Sequence, residues 1–360
     1  MFADLPISTI MALIGGMIGA VLGYVARRAR FCTLSAVETA WYGGNRTQIR
    51  MWVFAIATAI LGTLGLTQVG LVDVSGTVHM LPRIALAGPI LGGLIFGLGM
   101  AAVGTCSFGA VLRGAGGDMR GFVVVLIVGV VGYMTIRGFL AFPRMIFIEP
   151  LSVPLPDDHN ASLGSLISLA IGLEPSVIVV PSSVLAALAL IVWCLKDSRF
   201  RTNVQAVFGS LVVGLLVVAG WYTTGHIGAD EFDPQAVESL SFVAASGSTV
   251  MYLMTFTGST ITFGVGVFMG VIIGAFIAAW RKNELRLDAF DDPREMRRHI
   301  IGAVLMGIGG VLSMGCSIGQ GLSGVSTLAV PSFLALLSMW VGAVLGLHIL
   351  IYGWTLSSDA

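Results

Sequence analysis

Nine apolar stretches dominate the 360-residue chain, at roughly 9–26, 51–70, 84–103, 121–141, 178–195, 203–222, 262–280, 299–314 and 333–354. A bilayer core takes about 20 residues of helix, and inside it every backbone N–H and C=O must find a partner within the protein. Helices and closed barrels alone meet that condition, and a barrel strand needs only about 9–11 residues. The stretches therefore predict an all-α, polytopic membrane protein of about nine transmembrane helices. Composition agrees, with 56% hydrophobic and 11% charged residues, against about 25% charged in soluble domains.

Three segments are too polar or too short to span and too apolar for ordinary loops: 31–44, 161–173 and 241–257. Re-entrant or interfacial segments are the expectation, because irregular backbone at membrane depth is tolerated only where protein or a cavity surrounds it. The beginning, Met1 to Ile10, lacks the basic flank of a cleavable leader and is read as retained.

Formal charge is zero, with 19 basic and 19 acidic residues, so the net charge gives no electrostatic footprint for nucleic acid or for an anionic lipid surface. The arrangement of charge is more informative. Alternating nine spans puts 16 of the 19 basic residues on one side and leaves Arg83, Arg137 and Arg144 on the other. The positive-inside rule makes the first side cytoplasmic, with the N-terminus outside and the C-terminus inside.

An internal repeat sets the organisation. Residues 97–114, GLGMAAVGTCSFGAVLRG, align with 307–324, GIGGVLSMGCSIGQGLSG, at a constant offset of 210. Identical pairs include Cys106/Cys316, Ser107/Ser317, Gly109/Gly319, Leu112/Leu322 and Gly114/Gly324. Under the charge-derived orientation the two copies run in opposite directions through the membrane. The expectation is a single transmembrane domain over 1–360. Its inverted halves are 1–145 and 203–360, its linking helix is 178–195, and its broken helices meet near the midplane, a recurrent transporter plan.

Glycines on both sides of Cys106 and Cys316 allow each helix to stop and restart, with a short helix expected to begin at Ser107 or Ser317 capped by that serine. The first turn of such a helix carries free N–H groups and roughly half a positive charge. Two such ends facing one another make an anion site. A thiol at a helix N-terminus is a weak S–H donor suited to a polarisable acceptor such as a sulfur oxyanion. The candidate path residues are Cys106, Cys316, Ser107, Ser317, Gly109, Gly319 and Gln320, with Thr327 beside them.

Other residues read more blandly. Cys32 lies in a re-entrant segment but has no cysteine counterpart in 241–257, and Cys194 at the end of the linking helix reads as packing. Glu38 fits an interfacial cap or a proton carrier. His79, His159, His226, His299 and His348 read as solvated or satisfied side chains. The four-residue spacing of Gly15, Gly19 and Gly23, and of Gly266, Gly270 and Gly274, permits close helix contact. Neither a zinc site nor a disulfide framework is legible, and no cofactor is expected.

At these motifs the sequence resembles the YeeE/YedE family of membrane proteins, whose characterised members import thiosulfate. The matching pieces are RFCTLSAVE at 30–38, GTCSFGAVLRGAGG at 104–117, ESLSFVAASGSTVMYLM at 238–254 and GCSIGQGLSGVSTLA at 315–329. The resemblance implies an hourglass-like helical protein of the bacterial inner membrane that passes thiosulfate by transient contact with three thiols. Carried over, these are Cys32, Cys106 and Cys316. It further implies a cytoplasmic TusA-like sulfur-carrier protein as partner. Two alternatives stay open from the residues: a transporter of another sulfur or selenium species, and a membrane thiol enzyme that transfers sulfane sulfur through a cysteine persulfide.

Overall fold

The computed structural model describes residues 6–155, 160–171, 175–229 and 235–353. His159, named above, lies outside them. Helices account for nearly all regular structure: α1 (Ile7–Ala29), α2 (Thr33–Trp41), α3 (Thr47–Gln68), α4 (Ala87–Val103), α5 (Ser107–Gly114), α6 (Met119–Arg137), α7 (Ala141–Phe147), α8 (Leu163–Ile171), α9 (Pro175–Leu195), α10 (Ser198–Thr202), α11 (Val204–Tyr222), α12 (Val243–Met254), α13 (Phe263–Arg281), α14 (Pro293–Leu312) and α15 (Val330–Tyr352). Two strands, β1 (Arg83–Ala85) and β2 (Ser152–Pro154), pair antiparallel with Arg83 opposite Pro154.

Among the described residues, 8 helical segments are long and apolar enough to cross a membrane. The ninth expected stretch, 299–314, is helical too, as α14, but its first turns carry Arg294, Glu295, Arg297 and Arg298. Its apolar remainder is shorter than a full crossing, yet Gly302, Ala303, Met306, Gly307, Gly309 and Gly310 are buried. The three short segments foreseen from sequence contain the short helices α2, α8 and α12.

Capping residues explain where helices start and stop. Gly104, at φ 77°, takes the left-handed conformation that ends α4 and donates to the carbonyls of Met100 and Ala101. Asp118 caps α6 by accepting from the Arg120 N–H, and Asp292 caps α14 in the same way, followed by Pro293 at the first helical position. Arg30, at φ 54°, closes α1 before the chain turns into α2.

Glycine sets how closely the helices approach. A methyl added at Gly15 would lie 2.8 Å from the Phe263 carbonyl, and at Gly19, Gly23, Gly266, Gly270 or Gly274 it would collide with facing main chain, so α1 and α13 touch backbone to backbone. Helix α4 is enclosed likewise, with Gly93 against the Ala335 carbonyl of α15 and Gly99 against the Gly302 carbonyl of α14. In lipid, where apolar side chains gain little by leaving solvent, such approaches provide the dispersion that joins helices. Large apolar residues at helical spacing remain exposed on the other faces, including Leu13, Met17 and Val21 of α1 and Leu337, Val341 and Leu345 of α15, as a lipid-facing surface requires.

The contacts recur in pairs. Helix α1 packs on α13, as α11 does on α3; α4 packs on α15, as α14 does on α6; α2 meets α15, as α12 meets α6; and α4 meets α14 while α1 meets α11. Replacing Gly270 by leucine should destabilise the protein by roughly 3 kcal/mol, measured as a lower unfolding temperature in detergent. Gly65→Leu, at an exposed position with open space around it, should leave that temperature unchanged.

Candidate functional site

Each of the two long interrupted helices breaks at its cysteine. Helix α4 ends at Gly104 and α5 begins at Ser107, and the residue in the capping position is Cys106, whose Sγ accepts from the Gly109 N–H at 3.4 Å. The sequence expectation of a serine cap is corrected here: Ser107 is already the first helical residue, and its Oγ is buried without a partner. The second copy does the same, with Cys316 Sγ accepting from the Gly319 N–H at 3.4 Å. From Gly319 to Gly324 this segment winds as a π-helix, a geometry frequent at functional positions.

Four helix N-termini converge on these turns. Cys32 is the cap residue of α2, and its thiol lies 3.8 Å from Oγ1 of Thr105, the neighbour of Cys106. The next residue, Thr33, donates from its hydroxyl to Ser317 Oγ at 2.9 Å, in a fully buried bond. At the start of α12, the Phe242 N–H donates to Cys316 Sγ at 3.4 Å, and the Phe242 ring packs on Phe108 with centroids 4.6 Å apart. The ends of α2, α5, α12 and the segment from Ser317 therefore form one cluster. Its partial positive charges, roughly half a unit per end, are not offset by any carboxylate in the bonds described.

The glycines of the motifs are required by this crowding. A methyl at Gly109 would overlap Thr105 Oγ1 and come within 3.6 Å of Cys32 Sγ, and a methyl at Gly319 would lie 3.0 Å from Ser241 Oγ. Ser241 thus stands to the second turn as Cys32 stands to the first. Gln320 reaches away from the thiols: its Nε2 donates to the Ser313 carbonyl at 2.6 Å, tying down the residues before Cys316. Its Oε1 and the Nδ1 of the loop residue His79 are both buried without a hydrogen-bond partner, and burial pushes the His79 imidazole down to about 4. His79 is accordingly neutral at physiological pH. Cys194 is remote from the cluster, with its Sγ donating to the Arg50 carbonyl at 3.4 Å, in keeping with a packing role.

A cavity of about 350 Å³ leads to the second turn from the face that carries Arg83 and Arg144. Arg83, Arg144, Glu238 and Ser241 line it, and its floor includes Gly315 and Gly319. Arg144 is paired with Glu149 at 3.4 Å, whereas Arg83 has no ion pair among the described residues. Beyond the floor the way is closed, since Cys106 and Cys316 have no exposed surface.

Sequence reasoning brought forward Cys32, Cys106, Cys316, Ser107, Ser317, Gly109, Gly319 and Gln320, and it missed Thr33, Thr105, Ser241, Phe108 and Phe242. Ser241 had a faint signal, standing one position short of Cys32 plus the 210-residue offset.

A bundle with interrupted helices whose ends meet in a buried polar cluster, reached by a cavity from one face, defines a membrane transport protein. A profile of the family described as sulphur transport matches residues 28–345, and the chain belongs to that family, among transporters rather than enzymes. It is 29% identical over 334 residues to a protein of Spirochaeta thermophila named "Thiosulfate transporter TsuA", covering 89% of this chain and 93% of that one. It is 26% identical over 348 residues to the protein of that name from Escherichia coli, covering 92% of each. A shorter match, 29% identical over 106 residues, joins 29% of the chain to 24% of "Probable transporter YedE" of Salmonella typhimurium.

Of the four free thiols, only Cys32 has partial solvent exposure. N-ethylmaleimide applied to the folded protein should therefore modify Cys32 at least about tenfold faster than Cys106, Cys194 or Cys316, as followed by peptide mass spectrometry.

Proposed function

We propose that this protein imports thiosulfate across a bacterial inner membrane, passing the anion between the thiols of Cys316, Cys106 and Cys32 without consuming it. The observation that carries this reading is the convergence of thiol-bearing helix N-termini, with Cys32 beside Thr105, Thr33 bonded to Ser317, and Cys106 and Cys316 each bonded to the start of its own turn. An oxyanion with a soft terminal sulfur is matched by partial positive charge for its oxygens and S–H donors for its sulfur. The donors facing the thiols are amides and hydroxyls, and the nearby Arg113 guanidinium is engaged by the Gly104 carbonyl at 3.0 Å, so in this reading the anion is held weakly enough to move on. The names of the two long-matching relatives support the cargo.

In this reading the halves 1–145 and 203–360 are inverted copies joined by 178–195, with the N-terminus outside and the C-terminus cytoplasmic. The pairwise recurrence of helix contacts supports it, as does the charge distribution. The cavity beside Arg83 is then the outer vestibule, and a TusA-like carrier collects the product at the cytoplasmic face.

A bacterium lacking thiosulfate uptake should grow on thiosulfate as sole sulfur source when it makes this protein, and should fail with Cys106→Ala or Cys316→Ala although both variants accumulate folded. Full growth with both variants removes the thiol role. Stronger competition by a selenium analogue than by unlabelled thiosulfate would change the cargo, and sulfite release by protein in liposomes would replace passage by chemistry. Arg83→Gln should raise the half-saturating thiosulfate concentration about three- to tenfold while leaving the maximal rate unchanged, read from initial uptake rates at several concentrations.

A further inference from the structure

We propose that the basic end of the bundle binds the phosphate groups of anionic phospholipids in a cleft where the ends of α1, α3, α10 and α11 meet. Two adjoining clefts, sharing Asn45 and Thr47, occupy this end. One, of about 400 Å³, is lined by Arg28, Arg30 and Lys282 with no carboxylate among its lining residues. The other, of about 410 Å³, is lined by Arg46, Arg50, Lys196 and Arg199 with Asp197 as its one acid. That acid is already committed to Arg50 at 3.2 Å. The proposal is independent of the transported substrate.

The placement of the cations argues for an anion between them. Arg46 is the residue before α3 and Arg50 lies in its first turns, with no acidic residue there. A positive helix end and cations repel one another, so this arrangement is unfavourable until negative charge enters the cleft. Arg28, Arg30, Arg46, Lys196 and Arg199 have no ion pair among the described residues, while Lys282 is 3.7 Å from Glu284. Charges that only orient a membrane protein need to lie in the right loops. These are also gathered into a concave surface from segments far apart in sequence. Arg50 donates to the carbonyls of Trp193 and Cys194, at 3.0 and 3.2 Å, and Gln205 Nε2 donates to the Arg28 carbonyl.

The surroundings favour a lipid headgroup over a freely soluble anion. Trp41, Trp193 and Trp280, on α2, α9 and α13, are 69%, 40% and 64% exposed, and tryptophans so placed mark the headgroup level of a bilayer. Trp193 also carries the Arg50 guanidinium 4.7 Å from its ring, joining the aromatic belt to the cleft. Phosphate oxygens there would meet guanidinium groups that offer several parallel N–H donors.

Native mass spectrometry of the purified full-length protein, supplied in turn with phosphatidylglycerol, cardiolipin and phosphatidylcholine, tests this. Wild type should retain the two anionic lipids and release phosphatidylcholine. The triple variant Arg28→Gln, Arg30→Gln, Lys282→Gln should lose at least about tenfold in retention, whereas Arg28→Lys with Arg30→Lys should keep most of it. For wild type, raising salt from about 50 mM to about 500 mM should weaken retention, a readout that stands even where the triple variant does not fold. Equal retention of phosphatidylcholine, undiminished retention by a folded triple variant, indifference to salt, displacement by millimolar inorganic phosphate, or preference for an acidic soluble protein over lipid would each overturn the proposal.

Discussion

A helix that stops inside a bilayer leaves up to four N–H groups at its new start without intrahelical partners, and lipid supplies none. Leaving such groups bare costs several kcal/mol each. The structure meets this cost by bringing the interrupted ends together. The sulfur atoms of Cys106 and Cys316 each accept an N–H from the start of their own short helix, and Cys316 also accepts one from α12. The same interaction that makes the breaks tolerable presents S–H groups beside amide dipoles. Structural need and chemical capacity coincide on the same atoms.

Much of the architecture was legible because it follows from periodicity and span length, which are properties of contiguous sequence. Eight of the expected crossings appear as such, and the short helices α2, α8 and α12 fall within the three segments that were too short to cross. Helix α14 departs for a local reason, the charged residues in its opening turns. The glycine spacings announced a close helix seam, although which helix faced which was not in the pattern.

The cluster was legible in part. Cys106 and Cys316 announced themselves by repetition, and flanking glycines located the breaks. The capping atom did not, because serine is the stronger cap in peptides whereas here the chain enters the helix one residue earlier. Thr33, Ser241, Phe108 and Phe242 escaped because their partners lie between 74 and 284 residues away in the chain, as with Phe242 and Cys316 or Thr33 and Ser317. Spacing rules see neighbours along one element and are blind to pairs made by tertiary folding.

The glycine-lined seams have a mechanical corollary. Where carbonyls of one helix fill the space left by missing side chains on another, as between Gly15 and Phe263 or Gly99 and Gly302, sliding by one residue would drive Cα atoms through each other. Such a joint is a keyed shaft, able to turn as a block but not to creep. The same keying reaches the short pieces, with Gly121 of α6 against the Ala110 carbonyl of α5 and Gly247 of α12 against the Gly129 carbonyl of α6, so the frame and the helix ends it carries hold their shape together.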